Sequence, residues 1–131
     1  MGSAALGFNQ DPVNLVGSLD DAYDSTRLVN ESFDVLGEYT IGAHVKDYRV
    51  ADTLLPQFEE TEIGTGLLDH MTFVRRMQEI APTAHVLIEH LPPERFAAAR
   101  AALLAFAHEA GVAFETADVR GAETHRGRDS A

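Results

Sequence analysis

Three times along this chain a short apolar run is followed by a turn and then by a stretch with apolar residues at helical spacing. This order, strand then helix, is the strongest constraint on the fold. A helix between two strands carries the chain back across one face of a sheet, so successive strands run parallel. The first unit is "AALGF", the loop "NQDPVNLVG", and a helix opening at "SLDD". Ser18 is its expected N-cap, and Asp20 and Asp21 sit where the helix dipole favours anions. Ala22, Thr26, Val29, Phe33 and Leu36 form one stripe, with Gly37 expected as the C-cap. The second unit runs from "YTIGAHV" through the long loop "KDYRVADTLLPQFEETEIGTG" to a helix from about Asp69, with Phe73, Met77 and Ile80 on one face. The third runs from "HVLIEHL" into "PPERFAAARAALLAFAHEAG", where prolines start a helix, Phe96, Ala99, Leu103, Phe106 and Ala110 face inward, and Gly111 closes it. The polar stretch 116–131, "TADVRGAETHRGRDSA", reads as a disordered tail.

At 131 residues and 45 % hydrophobic, the chain can bury one core, and the expected class is α/β with a parallel sheet. Its longest apolar stretches fall far short of the roughly 20 residues of a membrane span, and "MGSAALGF" has no basic segment of a signal peptide, so a cytoplasmic protein is expected. A formal net charge of −11 argues against binding nucleic acid through its phosphates. With no cysteine, disulfides and thiolate metal sites are excluded, and a metal would have to be held by His, Asp and Glu.

In parallel α/β folds, active sites gather at the carboxyl ends of the strands. Asp11 ends the first apolar strand, His44 falls near the end of the second, and Glu89 near the end of the third. If these strands are neighbours, about 4.8 Å apart, their ends aim the three side chains at one point, where a divalent cation is the natural occupant. Each residue also has a structural reading. Asp11 before Pro12 suits a turn, and His44 suits a hydrogen-bonded core position. Glu89 within "VLIEHL" is costly unless paired or metal-bound. Lys46 shares a strand face with His44; it stabilises a substrate oxyanion or hydroxyl, or pairs with a nearby carboxylate. "IGTG", residues 63–66, either offers backbone N–H groups to an anion or is a plain turn. Strand alternation puts His90 on the face opposite Glu89, and His70, His85 and His108 are left to structure or solvent.

Taken in order, "DPVNLV", "TRLVNESFDVLGEYTIGAHVKD", "EIGTGLLDHMTFVRRM" and "VLIEH" resemble the motifs of the sugar phosphate isomerase/epimerase family, the xylose isomerase-like TIM barrels related to endonuclease IV. The resemblance covers roughly residues 6 to 112. It implies a partial (β/α)8 TIM barrel over residues 1–115, consisting of the last three βα units; a complete barrel takes about 250 residues. It further implies that Asp11, His44 of an H-x-K-D-like motif, and Glu89 bind one divalent metal. Mn²⁺ is favoured, with Co²⁺, Mg²⁺ and Zn²⁺ as alternatives. The family's fourth ligand, a glutamate that is also the second acid/base of the epimerases, comes from a strand in the first half of the barrel. Asn14 stands where relatives such as endonuclease IV carry a histidine for additional metals, so at most one metal and no DNA repair activity are implied.

The implied reaction is isomerisation or epimerisation of a sugar or sugar phosphate, by proton transfer alpha to a carbonyl through a metal-stabilised enediolate. In this scheme Glu89 is a proton-transfer base, Lys46 steadies the developing oxyanion, and Asn14, Asp47 and Arg49 meet substrate hydroxyls or a phosphate. The implied partners are the small-molecule sugar and either the missing N-terminal half-barrel or further copies of the chain, with no nucleic acid and no membrane. Without that half the chain is expected to be inactive alone. Two other readings stay open: a non-catalytic module that self-associates, and a truncation remnant with no independent role.

Overall fold

The computed structural model describes residues 6–115. The tail expected over 116–131 and the start of the "AALGF" run lie outside the described residues. Strand β1 (Phe8–Gln10) leads through a 3-10 turn to helices α1 (Leu19–Tyr23) and α2 (Ser25–Leu36). Strands β2 (Thr40–Val45), β3 (Asp47–Val50) and β4 (Phe58–Thr61) follow, then α3 (His70–Ile80), β5 (His85–Ile88) and α4 (Phe96–Ala110). The β1, β2 and β5 strands form a parallel sheet in that order, pairing Gln10 with Ala43 and His44 with Leu87. The protein is thus mixed α/β with a three-stranded parallel sheet, and among the described residues the sheet does not close into a barrel.

Alternation divides the sheet into two faces. Ala43, Val45, Val86 and Ile88 pack into a core with Val29 and Phe33 of α2, Phe73 and Met77 of α3, and Leu103 of α4. Phe33 and Phe73 are fully buried with ring centroids 6.1 Å apart, and truncating either to Ala removes contacts worth about 3–5 kcal/mol. Gln10 is also buried on this side, which is possible because its amide donates to Thr40 Oγ1 at 3.2 Å and contacts the Ser32 carbonyl at 3.5 Å. Those contacts of the amide nitrogen let β1 run on to Gln10, although the amide oxygen is buried without a partner among the described residues. Among the described residues the opposite face, with His44 and the exposed Leu87, has no layer over it, and β1 and β5 are both edge strands.

Ser18 caps α1 as expected, accepting the Asp21 N–H. The helix expected from Ser18 to Leu36 is nevertheless two helices, because the Asp24 side chain accepts the Arg27 N–H and starts a new one. Gly37 is right-handed and opens a 3-10 turn; a Cβ there would stand 3.0 Å from Ile80, so close packing is what it provides. Gly111, at φ 73°, closes α4 in the left-handed conformation expected of a C-cap glycine. The long loop contains the antiparallel hairpin β3–β4, too short for its alternation to stand out in sequence. Tyr48 anchors it, fully buried, by donating its hydroxyl to the Ala22 carbonyl at 2.8 Å.

Candidate metal centre

Asp11 leaves β1 at the point where Pro12 starts the 3-10 turn, and its carbonyl accepts the Asn14 N–H at 3.1 Å. The expected turn role and an inward-facing carboxylate therefore coexist in one residue. His44 projects from the uncovered face of β2, because its neighbours Ala43 and Val45 fill the core. Glu89 lies one residue beyond β5, yet its N–H still reaches the Val45 carbonyl at 3.4 Å, which keeps it level with His44.

These three side chains converge, with one potential ligand atom from each lying within 4.8 Å of the others. His44 Nδ1 is 2.8 Å from Glu89 Oε1 and 3.9 Å from Asp11 Oδ2. The Lys46 ammonium lies between the carboxylates, 2.9 Å from Asp11 Oδ2 and 3.5 Å from Glu89 Oε2, and donates to Asn14 Oδ1 at 3.0 Å. Burial pulls its pKa down, but Asp11, Glu89 and Glu60 outweigh this and hold it above the usual lysine value. Asn14 in turn donates to Asp11 Oδ2 at 2.8 Å. Lys46 therefore forms the ion pair that its sequence position allowed, while facing the site.

One buried oxygen of this cluster lacks a partner among the described residues. Asp11 Oδ2 is held by Lys46 and Asn14, whereas Oδ1 is buried and accepts no hydrogen bond. Such an oxygen costs roughly 1–3 kcal/mol. Two carboxylates against one ammonium also leave the cluster negative. An imidazole and two carboxylates, with no sulfur, form a donor set suited to Mn²⁺, Co²⁺, Mg²⁺ or Zn²⁺, so the residues present fit a divalent ion.

Asp47 and Arg49, expected against substrate, are occupied elsewhere. Asp47 is 1 % exposed, and its Oδ1 accepts the N–H groups of Tyr48 at 2.9 Å and Leu68 at 3.1 Å. Its Oδ2 accepts those of Gly64 and Gly66, both at 2.9 Å. The "IGTG" segment thus does present its N–H groups to an anion, and the anion is Asp47. A side chain at position 66 would collide with the Tyr48 carbonyl and with Asp47 Oδ1, hence the glycine. Burial pushes the Asp47 pKa up, but His70, at 3.1 Å, and the Leu68 and Gly66 N–H groups hold it below the usual carboxylate value. His70 is buried against the Phe106 ring, 5.0 Å between centroids, in a structural role. Arg49 pairs with Glu59 across the hairpin at 3.0 Å, both well exposed.

Two residues enter the neighbourhood unexpectedly. His90 does not point to the opposite face, because the strand has ended at Ile88 and His90 adopts φ 58°. Its Nε2 lies 3.6 Å from Glu89 Oε2, and its Nδ1 lies 2.7 Å from Oε1 of Glu60 on β4. No spacing in the sequence links residues 60 and 90; the hairpin brings them together. Comparisons with protein-family models, with curated proteins and with solved structures gave no match. No helix among the described residues is long and apolar enough to cross a membrane.

Proposed function

We propose that the chain is the C-terminal part of a xylose isomerase-like barrel and supplies three ligands of a divalent-metal site that isomerises or epimerises a sugar or sugar phosphate. The observation that carries this reading is the convergence of Asp11, His44 and Glu89 at the carboxyl ends of three adjacent parallel strands, with Asp11 Oδ1 buried and unpartnered. A divalent cation bound there supplies Lewis acidity, polarising a substrate carbonyl and easing loss of the proton beside it. Glu89, about a quarter exposed, takes up and returns that proton. Lys46 spends two N–H groups on Asp11 and Asn14; its distance to Glu89 exceeds a hydrogen bond, so one N–H is free for a substrate oxygen that gains charge.

A second acid/base must come from outside the described residues. The open edges of β1 and β5 leave room for further strands, and a cleft of about 410 Å³ runs along β5 between Ile88, Phe96, Leu103 and Leu104. The same open face supports the self-associating module as a second reading, in which the site binds metal without turnover.

Calorimetric titration of the metal-stripped chain with Mn²⁺ tests the proposal, with His44→Ala as control. Micromolar binding that weakens at least about tenfold in the variant is expected, since a ligand is lost. A folded parent chain that binds no divalent ion refutes it.

A further inference from the structure

His90 enters the site by a route that strand alternation does not anticipate. With its Nδ1–H donated to Glu60, its Nε2 lone pair faces outward, beside Glu89. Metal-binding histidines are commonly held in this way by a carboxylate on the other ring nitrogen, which sets both tautomer and ring orientation. The 3.6 Å between His90 Nε2 and Glu89 Oε2 is too long for a hydrogen bond. It is slightly longer than the separation of two ligands sharing one ion, about 3.0 to 3.4 Å for bonds of about 2.1 Å.

The charges agree with this geometry. Asp11 and Glu89 face Lys46 as their common cation, and with Glu60 beside His90 the carboxylates outnumber the ammonium by a formal charge of −2, which a divalent ion would bring to neutrality. Asp11 Oδ1, buried and unpartnered, is an independent sign that a cation belongs here. Asp11, His44 and Glu89 offer three protein ligands, one short of a tetrahedral set and further short of an octahedral one. We infer that His90 is a fourth protein ligand, drawn onto the ion beside Glu89, and that Glu60 is the carboxylate that orients it. This rests on the metal-binding reading above. Lys46 keeps Asp11 and Asn14 as partners when the ion takes over Glu89.

The test uses the chain loaded with Co²⁺, whose unpaired electrons shift the proton resonances of any imidazole bound to it, together with calorimetry using Mn²⁺. His90→Asn is the variant of choice, because asparagine tolerates the left-handed backbone and the side chain is half exposed. Glu60→Gln keeps the shape and removes the charge. The parent should show two shifted imidazoles, from His44 and His90, and His90→Asn only one. Mn²⁺ affinity should fall at least about tenfold in His90→Asn and about tenfold in Glu60→Gln. A single shifted imidazole in the parent, or unchanged affinity in His90→Asn when His44→Ala is weakened, overturns this assignment alone. A parent that binds neither ion overturns it together with the metal-binding reading.

Discussion

Replacing Asp47 by Asn tests whether this carboxylate belongs to the scaffold. Each of its oxygens accepts two backbone N–H groups, from Tyr48 and Leu68 on one and from Gly64 and Gly66 on the other. An amide in either orientation turns an NH₂ toward one of these pairs, leaving two buried donors without an acceptor. At about 1–3 kcal/mol for each, the loss is about 2–6 kcal/mol. That is a large part of the 5–15 kcal/mol typical of a domain, so the variant should be marginal. In urea denaturation at pH 7, with a slope of about 1–3 kcal/mol/M, the midpoint should drop by roughly 1–3 M. The effect has a defined pH dependence. Because the Asp47 pKa is lowered on folding, its contribution is complete above the unfolded value of about 3.9 and is lost as pH falls through the lower folded value. The gap between parent and variant should therefore narrow below about pH 4. A midpoint shift under about 0.5 M at pH 7 would refute the account and reopen a role for Asp47 in substrate binding.

Lys46→Met should destabilise the metal-free chain by about 3–5 kcal/mol, since it strips Asp11 of its counter-ion in a site where the lysine side chain is 3 % exposed. Excess Mn²⁺ should recover part of that loss in a thermal melt, and a melting temperature indifferent to the ion would count against the site. Asp69 caps α3 by accepting the Thr72 N–H at 2.9 Å, and its Oδ2 accepts the hydroxyls of Thr26 and Thr72. Asp69→Ala should cost about 1 kcal/mol by urea denaturation. Burial raises the Asp69 pKa, but Thr26 and Thr72 more than offset this, so the difference should likewise shrink below about pH 4 and not grow.

How far the structure could be read in the sequence depended on the range of the interactions involved. The three βα units follow from periodicities spanning a few turns, and β1, β2, β5 and the helices α2, α3 and α4 fall within them. The break at Asp24 is a competition between one more helical turn and one side-chain cap, a difference of about 1 kcal/mol that a stripe of apolar residues does not register. The bend at His90 goes with a contact to Glu60, thirty residues away across a hairpin that four-residue strands do not announce. Alternation predicts direction only inside a strand, and both Glu89 and His90 lie past the last residue of β5.

Asp11 and Asp47 make the same point at the level of chemistry. Each is an aspartate just past or just after a parallel strand, each is buried, and each precedes a tight structural feature: the turn at Pro12 or the hairpin at Tyr48. From sequence both qualify as site carboxylates. What separates them is the supply of donors. Asp47 has four backbone N–H groups around two oxygens, so its charge is satisfied within the scaffold and no ligand is needed. Asp11 has Lys46 and Asn14 on one oxygen and nothing on the other. Three of the four N–H groups that satisfy Asp47 come from a loop 17 to 21 residues downstream, so its structural role is decided by tertiary structure. Among the described residues Asp11 Oδ1 has no such donor, which makes this oxygen the better guide to function.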